Sequence, residues 1–223
     1  MPFLLPDARL DAMLHEGAAY GDMTTLALDI GSRPGRAMLQ AGRPMTVCCV
    51  EEAERLFLLA GCTVVRRFAA SGCQLEQGSR ILIAEGPAYA LHFAYRTAQV
   101  LIEDAPGVAM RARRILLSAR RGRHDIAVAC IRKHLPDTKD AMLKAVLGAG
   151  CNAHRHDLSE SIPVFAQHRA LLGRTPPREW LARLRAAQPE RRVVIEAESV
   201  MRQCCSPTPA RTACNSTAWC RSR

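Results

Sequence analysis

Basic side chains occur as two adjacent pairs near the middle of the sequence. Arg132 and Lys133 follow the apolar run 126–131, and His154 and Arg155 come further along the chain. Guanidinium and ammonium groups bind carboxylates and phosphates, and Arg does so through two parallel hydrogen bonds. If the two pairs lie close together in the fold, they would bind an anionic small molecule.

The segment between the two pairs predicts the element that brings them together. The run 126–131 has the length and composition of a buried strand, 138–147 has helical character, and Gly148 and Gly150 end that helix. In α/β folds, sites are built where the carboxyl ends of parallel strands meet. A strand–helix–strand unit would therefore place all four basic side chains on one rim.

The remaining patterns predict a mixed α/β fold. Strands are expected at 37–41, 45–50, 63–68, 80–84, 159–165 and 192–195, and helices at 1–20, 51–60, 88–102, 167–172 and 179–187. Asp104–Gly107 contains Pro and Gly and predicts a break in the chain. We therefore expect one domain over residues 1–105 and a second over residues 106–199.

Two features of the N-terminal part concern candidate site residues. Asp22 precedes Thr24 and Thr25, a context in which a carboxylate caps a helix, and this structural role is favoured over a catalytic one. The core stripe expected for the helix 88–102 consists of Leu91, Ala94, Tyr95, Ala98, Leu101 and Ile102. Arg96 lies off that stripe, and its residue context alone predicts a solvated arginine.

Composition narrows the class of partner. The net charge of +10 suits anionic small molecules, and an aromatic content of 4% argues against a stacking platform for single-stranded nucleic acid. Arginines cluster between residues 111 and 123, but Met110, Ile115 and Leu116 give that segment an apolar side. We therefore interpret it as one solvated face of a helix and not as a nucleic-acid site.

Cysteine spacing and hydropathy indicate the compartment. The ten cysteines include no C-x-x-C pair, so free and mostly buried thiols are favoured over a zinc site. No apolar run approaches the roughly 20 residues of a membrane span. The first residues also lack the basic and small-residue pattern of a signal peptide. A cytoplasmic location is expected.

Several short motifs occur together and in order. They are Y-G-D-M-T-T at 20–25, Y-R-T-A at 95–98, and then I-R-K-H-x-P-x-T-K, K-A-V-L and H-R-x-x-L-S-E between residues 131 and 160. The set resembles the quinolinate (nicotinate-nucleotide) phosphoribosyltransferase family, and more closely the pyrophosphorylases associated with molybdenum-transport genes. The resemblance extends from about residue 10 to residue 199.

The resemblance implies an activity and a fold. Members of the family transfer phosphoribosyl from phosphoribosyl pyrophosphate to a pyridine carboxylate, with Mg²⁺, in NAD biosynthesis. Residues 106–199 would form part of a (β/α) barrel, incomplete because a whole barrel needs roughly 250 residues.

The resemblance also implies roles for individual residues. The catalytic residues would be Arg132, Lys133 and Glu196, with Glu196 also binding Mg²⁺. The substrate-binding residues would be Arg96, Arg132, Lys133, Lys144, His154 and Arg155. Arg96 would reach the active site of the other subunit in a homodimer.

Two departures from the family pattern change the expectation. Phe165 stands where quinolinate enzymes carry a lysine, which predicts a different acceptor. Residues 200–223 contain four cysteines and no Leu, Ile or Phe, and the family's second metal-binding acid is missing there. We therefore predict a disordered tail, produced by truncation or a shifted reading frame after about residue 199, and impaired activity. The alternatives are a non-enzymatic basic α/β module that binds an anionic metabolite or nucleic acid, or an inert relic.

Overall fold

The computed structural model describes residues 3–131 and 133–196. The chain divides after His154 into two compact units, the second of which begins at Arg155. Arg132 and the tail predicted for residues 200–223 lie outside the described residues. Predictions that concern them therefore stay predictions.

The first unit contains five helices and seven strands within its described residues. The helices are α1 (Asp7–Ala18), α2 (Met23–Ala27), α3 (Val50–Leu59), α4 (Ala88–Arg120) and α5 (Lys139–Gly148). The strands are β1 (Pro34–Gln40), β2 (Met45–Thr46), β3 (Thr63–Arg67), β4 (Gln74–Leu75), β5 (Arg80–Pro87), β6 (Ala129–Cys130) and β7 (Asn152–Ala153).

An antiparallel sheet with the order β1-β5-β3 forms one side of the first unit. Ala84 of the central strand pairs with Ala37 on one side and with Val64 on the other. Exposure alternates along β1, as expected of an edge strand with one face towards the core. The strands predicted at 37–41, 63–68 and 80–84 are confirmed, whereas the one predicted at 45–50 is reduced to β2 because α3 already begins at Val50.

The core of the first unit lies between this sheet and the helices. Its fully buried side chains include Leu10, Leu14, Leu56, Phe57 and Ile81. The face that α4 turns inward is rich in alanine, and small side chains allow neighbouring backbones to approach closely. Helix α4 contacts α1, α3 and α5 in this way and is the central element of the unit.

The break predicted at Asp104–Gly107 is wrong. Helix α4 runs without interruption from Ala88 to Arg120, with Pro106 inside it. Proline removes one backbone hydrogen bond and disfavours a helix interior. Here Pro106 is fully buried, and its neighbours Ala105 and Ala109 are also buried, so packing outweighs the local preference. The domain boundary proposed at residues 105/106 stays a prediction.

The arginine-rich segment is the C-terminal half of α4. Ala112 and Leu116 are buried, while Arg111, Arg114 and Arg120 are exposed. This confirms the amphipathic helix predicted from the sequence.

The predicted strand–helix–strand unit is β6–α5–β7. The strands are parallel, and Ala129 pairs with Asn152. Backbone hydrogen bonds from Asn152 N to Val128 O (2.8 Å) and from His154 N to Cys130 O (2.9 Å) extend the pairing. The strand itself is shorter than the predicted 126–131.

The second unit contains β8 (Ile162–Val164), α6 (Ala166–Leu171), α7 (Pro177–Ala187) and β9 (Val193–Ile195) in its described part. Strands β8 and β9 are parallel, with Pro163 opposite Val194. Val164, Trp180 and Leu181 form a small core between the strands and α7. The chain thus changes from antiparallel strands in its first half to parallel pairs crossed by helices.

Candidate functional site

Lys133 and His154 follow the carboxyl ends of adjacent parallel strands. Lys133 comes three residues after β6 and is exposed, and His154 comes directly after β7 and is half-buried. The hydrogen bond from His154 N to Cys130 O fixes the backbone of His154 against β6. The structure thus brings these two predicted residues to one strand edge, the position at which α/β folds build sites.

Two contacts fix the part of the loop after β6 that directly precedes α5. The Thr138 side chain donates a hydrogen bond of 2.8 Å from Oγ1 to Leu135 O, which closes a turn before α5. Arg9 donates to Asp137 O and forms an ion pair of 3.6 Å with the Asp137 carboxylate. Residues 135–138, which follow Lys133, are therefore anchored to α1 and to the start of α5.

Lys144 does not lie on the exposed strand edge. It is fully buried, and its Nζ lies 2.6 Å from Glu52 Oε2 and 3.1 Å from Glu51 Oε2. Burial would lower the pKa of Lys144, but the hydrogen bonds and charges of Glu52 and Glu51 outweigh burial and raise it. These contacts give Lys144 a structural role between α5 and α3, and its predicted substrate contact stays a prediction.

Glu51 and Glu52 extend this network to two further segments. Glu52 accepts a hydrogen bond from Leu5 N, and Glu51 accepts hydrogen bonds from both N and Oγ of Ser71. Burial would raise the pKa of Glu51, but the Ser71 bonds and Lys144 lower it to about 2. The Glu51 carboxylate is therefore charged at neutral pH. Sequence reasoning missed this cluster.

Arg96 lies on the exposed side of α4, as predicted from its place off the core stripe. Its guanidinium carbon lies 5.5 Å from the ring centre of Tyr95, and its Nη1 lies 3.4 Å from Gln99 Oε1. Tyr95 was expected in the core stripe, but it is 36% exposed and lies beside Arg96 at the helix surface.

Asp22 caps α2, as predicted. Its Oδ2 accepts a hydrogen bond of 3.0 Å from Thr25 N, and the Thr25 hydroxyl also contacts it. The Thr25 side-chain hydrogen bond, followed by the backbone one, lowers the pKa of Asp22. Thr25 Oγ1 also contacts His92 Nδ1, which sequence reasoning missed. His92 lies one turn before Arg96 on α4, so this cluster joins α2 to the helix that carries Arg96.

In the second unit, Phe165 and Glu196 follow the carboxyl ends of β8 and β9. Glu196 N donates to Val164 O (3.0 Å), and the Glu196 carboxylate lies 3.3 Å from Ala166 N. Arg169 Nη1 donates to Glu196 O (2.8 Å). Arg155, at the start of this unit, places its guanidinium carbon 5.9 Å from the ring centre of Phe165.

The described residues could bind Mg²⁺ only together with a substrate that supplies further ligands. Among residues 3–131 and 133–196, no three His, Cys, Asp or Glu side chains are grouped as a metal cage. Mg²⁺ keeps several waters and is usually held by one or two carboxylates together with substrate phosphates. Glu196, at a strand end, suits that role, in which the substrate supplies most of the ligands.

The described cysteines are not arranged for nucleophilic chemistry. Cys48, Cys49, Cys62, Cys73, Cys130 and Cys151 are all free. Burial raises the pKa of the Cys62 thiol, and burial together with Cys130 raises that of Cys151 to about 11. Four of these six thiols are buried, as expected, whereas Cys73 is exposed.

An open cleft of about 660 Å³ lies elsewhere, at one end of the antiparallel sheet. Arg36 and Glu85 line it, and Arg36 Nε donates to Glu85 Oε1 over 2.6 Å. None of the predicted site residues that the structure describes lines this cleft. The Arg36 guanidinium in this cleft is already paired with the Glu85 carboxylate. The cleft is therefore a weaker candidate for anion binding than the strand edges are.

No described helix is both long and apolar enough to cross a membrane. A cytoplasmic location stays a prediction.

Solved structures share this fold. NadC from Streptococcus pyogenes has a TM-score of 0.77 at 24% sequence identity, with 89% of this chain and 71% of that chain covered. The nicotinate-nucleotide pyrophosphorylase from Francisella tularensis has a TM-score of 0.76 at 16% identity over 89% of this chain and 71% of that chain. These likenesses confirm the predicted fold class, an N-terminal mixed α/β domain followed by part of a β/α barrel.

Individual sequences and family descriptions agree with the fold. A ModD protein of Rhodobacter capsulatus, named as a pyrophosphorylase, is 40% identical over 198 residues, which cover 89% of this chain and 76% of that protein. The N-terminal domain description of quinolinate phosphoribosyl transferase matches residues 22–105, and the C-terminal one matches residues 108–204. The alternative of a non-enzymatic binding module finds no support here. Because the two domain matches span most of the sequence, the chain belongs to the quinolinate phosphoribosyl transferase family.

Proposed function

We propose that the protein is a phosphoribosyltransferase that transfers phosphoribosyl from phosphoribosyl pyrophosphate to a pyridine carboxylate or a related nitrogen heterocycle. The observation that carries this proposal is the placement of Lys133 three residues after β6 and of His154 directly after the adjacent parallel strand β7, in a chain of this family. Both substrates are anionic, and the protein carries a net charge of +10.

The reaction breaks one bond and forms one. The ring nitrogen of the acceptor forms a bond to the ribose C1, and the bond from C1 to pyrophosphate breaks, with its electron pair leaving on the pyrophosphate oxygen. With a 2-carboxylated acceptor, the bond between C2 and its carboxylate breaks in a later step, carbon dioxide leaves, and the electron pair that stays on C2 takes up a proton from water. Positive charge develops on the ribose, so positioning and charge stabilisation supply most of the catalysis, and no protein nucleophile is needed.

The basic residues would hold the anionic groups. Lys133 and His154 would bind carboxylate or phosphate oxygens in the first unit, and Arg155 would do so in the second. Arg132 is proposed for the same task from its place in the family motif. Each charge-assisted hydrogen bond contributes about 1.5–3 kcal/mol, so loss of one such residue should be measurable.

Glu196 is proposed as the protein's ligand to Mg²⁺. The bound ion would neutralise charge on the departing pyrophosphate. The hydrogen bond from Glu196 N to Val164 O supports this role because it fixes the residue at the carboxyl end of β8 and β9.

A homodimer that shares Arg96 is also proposed. Large apolar side chains are exposed on α4 and on α2, which contacts it: Val100 on α4 is 45% exposed, and Met23 and Leu26 on α2 are 69% and 62% exposed. Exposed apolar side chains on one pair of elements are typical of an interface. Contact with a second copy would bury them and bring Arg96 to the partner.

The acceptor is proposed to carry fewer carboxylates than quinolinate. Phe165 provides no cation at the end of β8, whereas the resembled quinolinate enzymes have a lysine there. A carboxylate buried without its partner costs several kcal/mol, so a second carboxylate should bind poorly.

Pyrophosphate release tests the function. The full chain, phosphoribosyl pyrophosphate and Mg²⁺ are incubated with quinolinate, nicotinate or other nitrogen heterocycles. We expect release that depends on a heterocycle, with quinolinate a poor acceptor that Phe165→Lys improves. Release with no acceptor would contradict the proposed function, and efficient use of quinolinate that Phe165→Lys leaves unchanged would contradict the proposed acceptor.

A further inference from the structure

The ring of Phe165 has two charged or titratable neighbours within the second unit. The guanidinium carbon of Arg155 lies 5.9 Å from the ring centre. The imidazole of His168, one turn into α6, stacks on the same ring with a centre-to-centre distance of 5.7 Å and an angle of 24° between the planes. Three planar groups from two separate segments of the chain therefore lie together at the end of β8.

The backbone fixes the two rings relative to each other. Phe165 N donates a hydrogen bond of 3.0 Å to His168 Nδ1, and Arg169 N donates to Phe165 O over 3.2 Å. Because Nδ1 accepts, the proton of the neutral imidazole lies on Nε2. The Phe165–His168 pair is thus held by its own backbone hydrogen bonds and does not depend on the position of Arg155.

The Phe165 ring is one of the groups that contact the Arg155 guanidinium. An arginine side chain has many rotamers, and a planar guanidinium prefers the face of an aromatic ring. Phe165 supplies such a face without competing for the hydrogen-bond donors of the guanidinium. The Arg155 guanidinium can therefore contact the ring and at the same time donate hydrogen bonds to polar or anionic groups around it.

We propose that Phe165 and His168 act as positioning residues, an aromatic support that holds the Arg155 guanidinium so that it receives an anionic group of the acceptor. The proposal rests on the proposed function only for the identity of that group. The support itself is a property of the second unit. Neither Phe165 nor His168 needs to touch the substrate for this role.

NMR of the full chain tests the support without any turnover. The ring current of Phe165 should displace the Arg155 Nε–Hε signal, which is assigned by its loss in Arg155→Lys. We expect Phe165→Leu to abolish the displacement, Phe165→Tyr to keep it, and His168→Ala to reduce it. Leu171→Ala, at an 89% exposed position on the same α6, is the matched control and should change nothing.

Kinetics with nicotinate as the probe test the consequence. Loss of an exposed cation–π contact should raise KM for nicotinate about two- to five-fold in Phe165→Leu, with kcat little changed and with rescue in Phe165→Tyr. An Arg155 signal that stays in place in both Phe165→Leu and His168→Ala would overturn the proposal. A displaced signal together with no turnover of any heterocycle would leave the support intact and count against the proposed function instead. If Phe165→Leu does not fold, His168→Ala decides, because His168 is exposed.

Discussion

At the scale of single residues, Lys144 joins α5 to α3 through Glu51 and Glu52, two carboxylates that lie far from it in the sequence. Buried alanines lie three residues before Lys144 and one residue after it, the spacing of an inward helix face. The ion pairs therefore hold the inward face of α5 against α3.

Removing Lys144 should destabilise the protein strongly. Lys144→Ala would leave the fully buried Glu52 carboxylate unpaired, which costs about 3–5 kcal/mol of unfolding free energy. Chemical denaturation measures this loss of unfolding free energy. Lys139→Ala on the same α5 is the matched control and should change stability by less than about 0.5 kcal/mol. The double change Lys144→Met with Glu52→Leu should recover most of the loss, and equal effects of Lys144→Ala and Lys139→Ala would contradict the buried pair.

The Glu51 carboxylate should make the free energy of unfolding depend on pH. Its pKa in the folded protein is about 2, against an ordinary value of 4.5. Because the folded value is lower, the contribution is complete above about pH 4.5 and is lost as the pH falls towards 2. The difference corresponds to about 3 kcal/mol. Unfolding free energies measured from pH 6 to pH 2 should fall less steeply in Glu51→Gln, and identical slopes would refute this assignment.

At the scale of elements, order and type were predictable but lengths were not. The parallel β6–α5–β7 unit was expected from the apolar run and the two glycines, yet β6 is confined to Ala129–Cys130. A break was expected at Asp104–Gly107 because Pro106 and Gly107 ordinarily disfavour a helix interior. Burial of Ala105, Pro106 and Ala109 continues the inward face of α4 across it, and only tertiary packing reveals that.

The continuity of α4 gives a direct prediction for Gly107. An added Cβ would meet nothing within 4 Å, and glycine inside a helix costs about 0.5–1 kcal/mol relative to alanine. Gly107→Ala should therefore raise the melting temperature. Gly72→Ala should lower it, because Gly72 has a φ of +95° and the new Cβ would lie 3.2 Å from Gly148 O. No gain from Gly107→Ala would favour the broken helix after all.

At the scale of the whole molecule, the family was recognisable because its motifs are short and rich in charge. The division into units was less accessible. The chain divides after His154 into two compact units, whereas the two family domains meet between residues 105 and 108. The division after His154 reflects the contacts that α4 and α5 make within the first unit. No sequence pattern before residue 154 predicts these contacts.

The proposed dimer is tested by mixing subunits. Arg96→Ala and Lys133→Ala subunits should each be nearly inactive alone, since each lacks one part of every site. Their heterodimers should recover part of the activity, because one of the two shared sites escapes both changes. Pyrophosphate release from the mixture, compared with each variant by itself, measures this. Absence of any recovery after verified subunit exchange would show that Arg96 serves its own subunit or none.

The most direct test of the account follows both products at once. Phosphorus NMR of the full chain with phosphoribosyl pyrophosphate, Mg²⁺ and nicotinate should show pyrophosphate and a nucleotide phosphate appearing at equal rates. Lys133→Ala should slow both about ten- to a hundred-fold, as expected for loss of one charge-assisted contact, while Lys139→Ala should leave both rates unchanged. Pyrophosphate without nucleotide, or equal rates in Lys133→Ala and Lys139→Ala, would contradict a phosphoribosyl transfer at this strand edge.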